Sequence, residues 1–494
     1  MRTKVVICLL LVSVWLAGCI SVSQLTAAPT VTPKLQLTPT VLITALPTIS
    51  TETIQPNAGA ENLISYDIVA KMDYDAKSLS VVEKIFFTNK TGIILPDILL
   101  AVLPNSQPGV FQLIQVLVDD INHDDYILDG QRLLIKGLKL PNAESMLIEV
   151  RFQLDLPAVV QGDPNVVRPT IFGVSEKQVN LTDWFPMVVP YSQQGWLLHN
   201  PAYYGEHLVY PAAEISLELN FANTTFLPII AASSLQTGPE GTHTYQMENA
   251  RDMVFAMGRQ MNVVSGYANG FTVNSYFYEP YRSAGEAVLQ TTLEAVDLYT
   301  YLFGPLEGRD SLSVVQGDFD DGMEFDGLYY LSNSFYNLYD GTPKQYLILV
   351  AAHETCHQWW FAQVANDQAL HPWLDESLAT YCEKLYYEHY HPDSLSWWWT
   401  TRVDFYEPTG FIDAPVTSYE GFTPYTNATY RQGARFLEDL RVLIGDDAFF
   451  AFLRDYLTQM RGKISTPEVF FAILRSHTEI DLSPLITKYF QNRY

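Results

Sequence analysis

Two histidines four positions apart, followed by a glutamate 19 residues later, dictate how the middle of this chain folds. On a helix, His353 and His357 project from one face. Imidazole nitrogens and a carboxylate are ligands that zinc prefers, and three protein ligands leave a fourth position open for water. Glu354 would lie beside that water without binding the metal. The spacing therefore predicts one catalytic Zn²⁺ per chain, held by His353, His357 and Glu376.

The residues around this motif favour two helices. The stretch 346–352 is apolar enough for a core helix, and 358–360 extends it without Gly or Pro. A second helical stretch, 378–388, is expected to lie antiparallel beside the first. The alternative is an ordinary amphipathic helix with two partly buried histidines. Asp375 is a candidate partner for a histidine ligand, whereas the remaining nearby histidines are expected to be surface or packing residues: His371, His389 and His391.

Three motifs carry a resemblance to a known family. Residues 353–360 and 373–381 resemble the HExxH(x18)E signature of the M1 family, the gluzincin aminopeptidases that include leukotriene A4 hydrolase. Residues 322–325 resemble the family's G-x-M-E-N motif, and 430–434 resemble its Y-x-K-G-A motif. The resemblance covers about residues 62–494. It implies a zinc metallopeptidase that releases N-terminal amino acids from peptides.

The resemblance also implies residue roles. Glu354 would transfer the proton of the attacking water, and Tyr430 would stabilise the oxyanion. Glu324 would bind the free α-amine of a peptide substrate, in a binding segment that includes Gly322 and Met323. Two positions depart from the family pattern, because asparagine is replaced by Phe325 and lysine by Gln432. Four nearby aspartates are expected either on a solvated loop face or as a bias towards basic N-terminal residues: Asp318, Asp320, Asp321 and Asp326.

An α+β multidomain fold is expected. Residues 62–268 have strand patterns at 64–70, 79–87, 146–154 and 213–221, which predict an antiparallel β-sandwich or saddle. Residues 269–494 mix strands and helices, as in a thermolysin-like catalytic domain with trailing helices. Strands are predicted at 272–278 and 312–316, and helices at 284–302, 433–443, 448–460, 467–477 and 483–491.

The first 61 residues predict export. Residues 1–18 combine a basic start with a 12-residue apolar stretch, which is too short to span a bilayer. Residues 16–19 resemble a bacterial lipobox, so Cys19 would carry lipid and anchor the protein to a membrane outside the cytoplasm. A plain secretory signal is the alternative. Residues 19–61 are rich in threonine and proline and are expected to form an extended tether.

The net charge limits the classes of binding partner, and the cysteine count limits the number of disulfides. The formal net charge of −26 argues against nucleic acid and agrees with cationic substrates or with simple solubility. Beyond Cys19 only Cys356 and Cys382 remain, and we expect two buried thiols, with a disulfide as the alternative.

Two other functions stay open. One is a different reaction at the same site, such as that of an endopeptidase or an epoxide hydrolase. The other is a lipoprotein that binds peptides or an envelope partner with an inactive metal site.

Overall fold

The computed structural model describes residues 64–159, 171–239, 242–268 and 270–494, which all belong to one compact unit. The predicted signal, the lipidation site Cys19 and the predicted tether lie outside these ranges. In the described part of the chain, no helix has both the length and the apolar character needed to cross a bilayer.

The first half is built on an eight-stranded sheet. Its strands alternate buried and exposed side chains, as a sheet with one face on a core requires. All four predicted strands are present, and one neighbouring pair, Ile64–Asp73 with Ala213–Phe221, runs parallel. The strands in spatial order are Gln236–Thr237, Thr244–Ala250, Ala213–Phe221, Ile64–Asp73, Ser78–Thr88, Ser145–Asp155, Phe111–Val118 and Ile121–Asn122.

Smaller sheets cover the buried face of the large one and share an apolar core with it. The β-rich first half predicted from sequence is therefore confirmed. One four-stranded sheet consists of Ile229–Ala232, Phe255–Gly258, Val179–Leu181 and Gly173–Val174. Another consists of Met187–Val188, Ile98–Ala101, Arg132–Ile135 and Tyr126–Asp129, and Tyr191–Ser192 pairs with Gly195–Trp196.

One core residue of this half is a carboxylic acid. Glu83 is fully buried on the inward face of Ser78–Thr88, and neither carboxylate oxygen has a hydrogen-bond partner among the described residues. Burial raises the pKa of Glu83 well above its usual value. Burial therefore favours the protonated form of this side chain in the folded protein.

The second half begins with a five-stranded mixed sheet. Its strands in spatial order are Asn262–Ala268, Phe271–Phe277, Ser311–Gly317, Leu328–Ser332 and Gly322–Phe325. The boundary predicted between residues 268 and 269 falls between the two strands of its first hairpin. Gly322–Phe325 is the edge strand, and it contacts the helix that carries the histidine motif.

Ten α-helices complete this half, and all the helices predicted from sequence are present within a few residues of their expected ends. They are α1 Arg282–Phe303, α2 Asn333–Leu338, α3 Tyr346–Cys356, α4 Trp373–Tyr390, α5 Leu395–Trp398, α6 Phe422–Thr426, α7 Gly433–Ile444, α8 Asp446–Met460, α9 Pro467–Arg475 and α10 Ser483–Tyr489. Two π-helical stretches, Trp399–Val403 and Asn427–Gln432, follow α5 and α6. A short pair, Ala365–Asn366 with Ile464–Ser465, joins the loop after α3 to the loop after α8.

The predicted extension of the histidine helix through residue 360 is wrong. Helix α3 ends at Cys356, because Gln358 and Trp359 donate their backbone N–H groups three residues back in turns rather than four. The side chain of Gln358 then bonds the edge-strand segment, donating to the carbonyl of Phe325 and accepting from the backbone N–H of Gly327.

The expected pair of free thiols is also wrong. Cys356 on α3 and Cys382 on α4 form a disulfide with an S–S distance of 2.13 Å, across a Cα–Cα distance of 6.2 Å. That separation lies within the range a disulfide needs. The sequence could not show it, because it depends on how the two helices face each other.

Candidate metal centre

Helices α3 and α4 bring the three predicted zinc ligands together. The Nε2 atoms of His353 and His357 lie 3.1 Å apart. One carboxylate oxygen of Glu376 lies 3.2 Å from the first and 3.6 Å from the second. All three side chains are buried. The helices are antiparallel as predicted, because His353 faces residue 383 and His357 faces residue 376.

Each histidine is oriented by a partner on its other ring nitrogen. The Nδ1 of His353 lies 2.8 Å from the carboxylate of Glu383, and the Nδ1 of His357 lies 3.1 Å from the carbonyl of Trp360. Both partners are acceptors, so in the neutral form of each ring Nδ1 carries the proton and Nε2 presents its lone pair. Both rings thus point a ligand atom at one place, as a metal site requires.

Glu383 is itself held in place. Arg402 donates two hydrogen bonds to its carboxylate, at 2.8 and 3.0 Å, and the indole N–H of Trp398 donates a third at 2.9 Å. Sequence reasoning missed Glu383 and considered Asp375 instead. Among the described residues, Asp375 does not hydrogen-bond either histidine ligand: it accepts the backbone N–H of Glu376, and its other oxygen has no partner.

The electrostatics of this cluster favour positive charge between its three side chains. Burial opposes protonation of His353, yet hydrogen bonds with Glu376 and Glu383 raise its pKa to about 9. Burial likewise opposes ionisation of Glu376, but hydrogen bonds from both histidines hold its pKa below the usual range. A divalent cation bound between the three side chains would supply this positive charge. Two imidazoles and one carboxylate, with both lone pairs convergent, fit Zn²⁺.

Glu354 lies next to this centre without being one of the three ligands. It is 5% exposed, and its Oε2 has no hydrogen-bond partner in the described parts of the chain. Burial raises its pKa well above the usual range. Gly322 approaches it so closely that a β-carbon there would lie 2.3 Å from Glu354 Oε1. The edge strand therefore runs directly beside this carboxylate.

Tyr430 contacts two of the three predicted zinc ligands. Its ring stacks on that of His353 with the centroids 5.9 Å apart and the planes 7° from parallel. Its hydroxyl donates to Glu376, and burial raises its pKa well above the usual value, so it keeps its proton.

The turn that carries Tyr430 is the π-helical stretch Asn427–Gln432. Ser377 anchors this turn by donating to the carbonyl of Thr429 at 2.7 Å. The next residue, Gly433, has no room for a side chain, because a β-carbon would lie 2.0 Å from the Ser377 hydroxyl. The glycine of the third motif is thus a packing requirement that holds Tyr430 over the site.

A second acidic group borders the metal ligands. Glu324, on the edge strand, is 6% exposed and accepts a hydrogen bond of 3.2 Å from the side chain of Gln368. Carboxylate oxygens of Glu324, Glu376 and Glu206 all lie within 4.8 Å of one another. Glu206 comes from the β-rich first half, more than 100 residues before Glu324 in the chain, and sequence reasoning missed it and Gln368.

A cavity of about 550 Å³ opens beside Glu324 and Glu206, between the two halves of the chain. Met323 lines it, as does Phe325. Phe325 is 7% exposed and packs edge-to-face on Tyr330. At the position where the family motif has asparagine, Phe325 is therefore a packing residue.

The other acidic and histidine residues separate into different environments. Asp320 and Asp321 are exposed, in agreement with a solvated loop face. Asp326 corrects that prediction, because it is fully buried in an ion pair with Arg309 and also accepts the backbone N–H of Arg251. The other histidines lie outside the metal cluster, with His371 and His391 half-buried and His389 exposed: the predicted surface or packing positions.

Comparison with known proteins gives a domain-level match. Residues 305–489 match the Peptidase family M1 domain. Leucine aminopeptidase 2 of Coccidioides immitis is 33% identical over 125 residues, which cover 23% of this chain and 20% of that protein. Aminopeptidase M1-D of Oryza sativa subsp. japonica is 24% identical over 241 residues, which cover 44% and 27%. The matched segments thus span about a fifth to a quarter of these relatives.

Solved structures match over most of the chain. The M1 zinc metallopeptidase of Deinococcus radiodurans has a TM-score of 0.62 and 16% identity, covering 88% of this chain and 94% of that one. A mutant of it bound to a Tyr-Ser-Ala substrate has a TM-score of 0.61 with 89% and 97% coverage. At this low sequence identity, the structural similarity establishes the fold alone. Residues 305–489 are therefore similar to the peptidase domain of family M1, and the chain has the fold of the two-domain M1 zinc metallopeptidase structures.

Proposed function

We propose that this chain is a zinc-dependent aminopeptidase that releases single residues from the free N-termini of peptides outside the cytoplasm. The observation that carries the proposal is the pairing of Glu324 and Glu206 beside the metal ligands. A charged α-amine between two carboxylates gains charge-assisted hydrogen bonds, which fix where the substrate chain begins. With the amine held there, the first peptide bond falls at the catalytic residues.

The chemistry divides among named residues. Zinc, when bound by His353, His357 and Glu376, acidifies water and polarises the scissile carbonyl. Glu354 has an unpartnered oxygen with which to take the proton of the attacking water, and it then delivers that proton to the leaving amine. Tyr430 keeps its own proton and donates a hydrogen bond to the oxyanion.

The relatives support an exopeptidase. The curated proteins that match are named leucine aminopeptidase 2 and aminopeptidase M1-D, and the Deinococcus radiodurans structure holds a tripeptide. Because the matched segments are a minor part of the curated relatives, their activity enters here as support for the proposal. The local departure at Phe325 removes one polar contact and leaves Glu324 with its partner Gln368 in place.

The proposed location rests on the sequence before residue 62. A signal-like start and the lipobox-like residues 16–19 support export and a lipid anchor on Cys19. The threonine- and proline-rich segment 19–61 would tether the enzyme to the membrane surface. Metabolic labelling with a radioactive fatty acid tests this part: the wild-type chain would incorporate label and Cys19→Ala would not.

Hydrolysis of matched fluorogenic amino-acid amides, free and N-acetylated, tests the activity. We expect cleavage of the free amides alone, and none by Glu354→Gln. Equal cleavage of the acetylated amides would replace the aminopeptidase with an endopeptidase. A protein that binds peptides but cleaves no amide would support the binding-lipoprotein alternative.

A further inference from the structure

The cavity beside the two amine-binding carboxylates has a defined place in the proposed reaction, on which this inference rests. Glu324 and Glu206 both line it. The α-amine and the side chain of an amino acid leave the same carbon atom. A substrate whose amine is bound by these two carboxylates therefore directs its first side chain into this cavity, whose volume of about 550 Å³ exceeds that of any natural side chain.

Apolar groups form part of the wall. Met323 and Phe325 line the cavity from the edge strand, and Ile171 and Phe172 line it from the β-rich half. Such walls suit a methylene chain as well as a purely apolar side chain. The apolar residues alone therefore do not distinguish leucine from the stem of lysine or arginine.

The charged residues of the lining distinguish a cationic side chain from an apolar one. Asp183 and Asp252 also line the cavity. Arg251 is the sole lysine or arginine of its lining in the described chain, and its guanidinium is already committed to three backbone carbonyls: those of Tyr210, Ala362 and Lys463. Burial and the neighbouring carboxylates of Asp326 and Asp183 raise the pKa of Asp252 well above its usual value, so Asp183 is the lining carboxylate that adds negative charge beyond the two that bind the amine. Asp183 accepts from the hydroxyl of Tyr210, and a carboxylate has lone pairs for further donors.

A buried hydrogen-bond acceptor without a partner indicates, independently of charge, that the cavity suits a side chain with hydrogen-bond donors. Asn366 lines the cavity and is 2% exposed. Its Nδ2 donates to the carbonyl of His371, which fixes the orientation of the amide. Its Oδ1 has no hydrogen-bond partner among the described residues. A buried acceptor without a donor is costly, so a donor supplied to this atom by the group that fills the cavity would be favourable.

We infer that the cavity binds the cationic side chain of an N-terminal arginine or lysine, with Asp183 as a specificity-determining residue. The methylene stem lies against the apolar walls, and the cationic end donates to Asp183 and to Asn366 Oδ1. Arginine is preferred over lysine, because a guanidinium presents five donors and an ammonium three.

Specificity constants for arginine, lysine, norleucine and leucine amides test the inference. Norleucine matches the stem without the charge. We expect kcat/KM for arginine to exceed that for norleucine by about tenfold or more, the scale of one charge-assisted hydrogen bond. Asp183→Asn should lower the arginine-to-norleucine ratio by about tenfold, whereas Asp129→Asn, an exposed aspartate in the same half, should leave the ratio as it is.

The possible contrary results separate failure of the specificity inference from failure of the proposed aminopeptidase activity. Norleucine or leucine cleaved as fast as arginine, or a ratio unaffected by Asp183→Asn, overturns the inference and leaves the aminopeptidase standing. Failure to cleave any free amide overturns both. Competition by the free amino acids gives a second readout in the wild-type enzyme: L-arginine should inhibit at lower concentration than L-norleucine.

Discussion

Gly322 is the position where a single methyl group should disable the site without touching a metal ligand. A β-carbon there would lie 2.3 Å from Glu354 Oε1 and 2.7 Å from Val350 Cγ1. Non-bonded contacts of this kind settle near 3.5 Å, so the carboxylate or the edge strand has to move by about 1 Å. A displacement of about 1 Å at reacting groups costs on the order of 10²-fold in rate.

Steady-state kinetics on the best free amide, with zinc content by mass spectrometry and a thermal unfolding curve, would measure this effect. For Gly322→Ala we expect kcat/KM to fall about 100-fold, while the protein stays folded with one zinc. Asp320→Ala, an exposed residue on the same segment, is the matched control and should behave as wild type. A folded Gly322→Ala enzyme with kcat/KM within about threefold of wild type would refute the argument from close approach.

Three further changes probe separate features. Glu383→Gln should weaken zinc binding about 10- to 100-fold in a chelator competition, because His353 loses its charged partner, whereas Glu388→Gln on the same helix should not. Tyr430→Phe should lower kcat about 10²- to 10³-fold with zinc retained, because the oxyanion loses a donor; an unchanged kcat would contradict that role. Folded Glu83 keeps a proton that the unfolded chain releases above about pH 4.3, so the free energy of unfolding should fall as pH rises from there. Glu83→Gln should remove that fall in denaturant titrations, and an identical pH dependence would show that Glu83 is ionised in the folded protein.

The sequence predicted the parts of the fold that follow local patterns. Alternating apolar residues located the strands of the large sheet, and helical periodicity located α1 and α7 to α10. The spacing from His353 to Glu376 predicted three ligands that the structure does bring together. These features depend on residues close in sequence or on a motif of fixed length.

Features that depend on how distant segments meet were not predictable in the same way. Glu206 reaches the site from a different half of the chain, and Gln368 from a loop without a motif. Glu383 had an available signal, because it lies seven residues after Glu376 and therefore two turns along the same face of α4. Predicting the disulfide requires the distance between α3 and α4, and the spacing of the two cysteines in the sequence does not give that distance.

The most direct test of the proposed function is the mass spectrum of a peptide digest. A decapeptide that begins with arginine would be incubated with the purified enzyme beside its N-acetylated twin. The proposed function predicts a ladder from the free peptide, each product shorter by one N-terminal residue, and no products from the twin. Internal fragments, or equal cleavage of both peptides, would contradict the role of Glu324 and Glu206 as the groups that bind the α-amine.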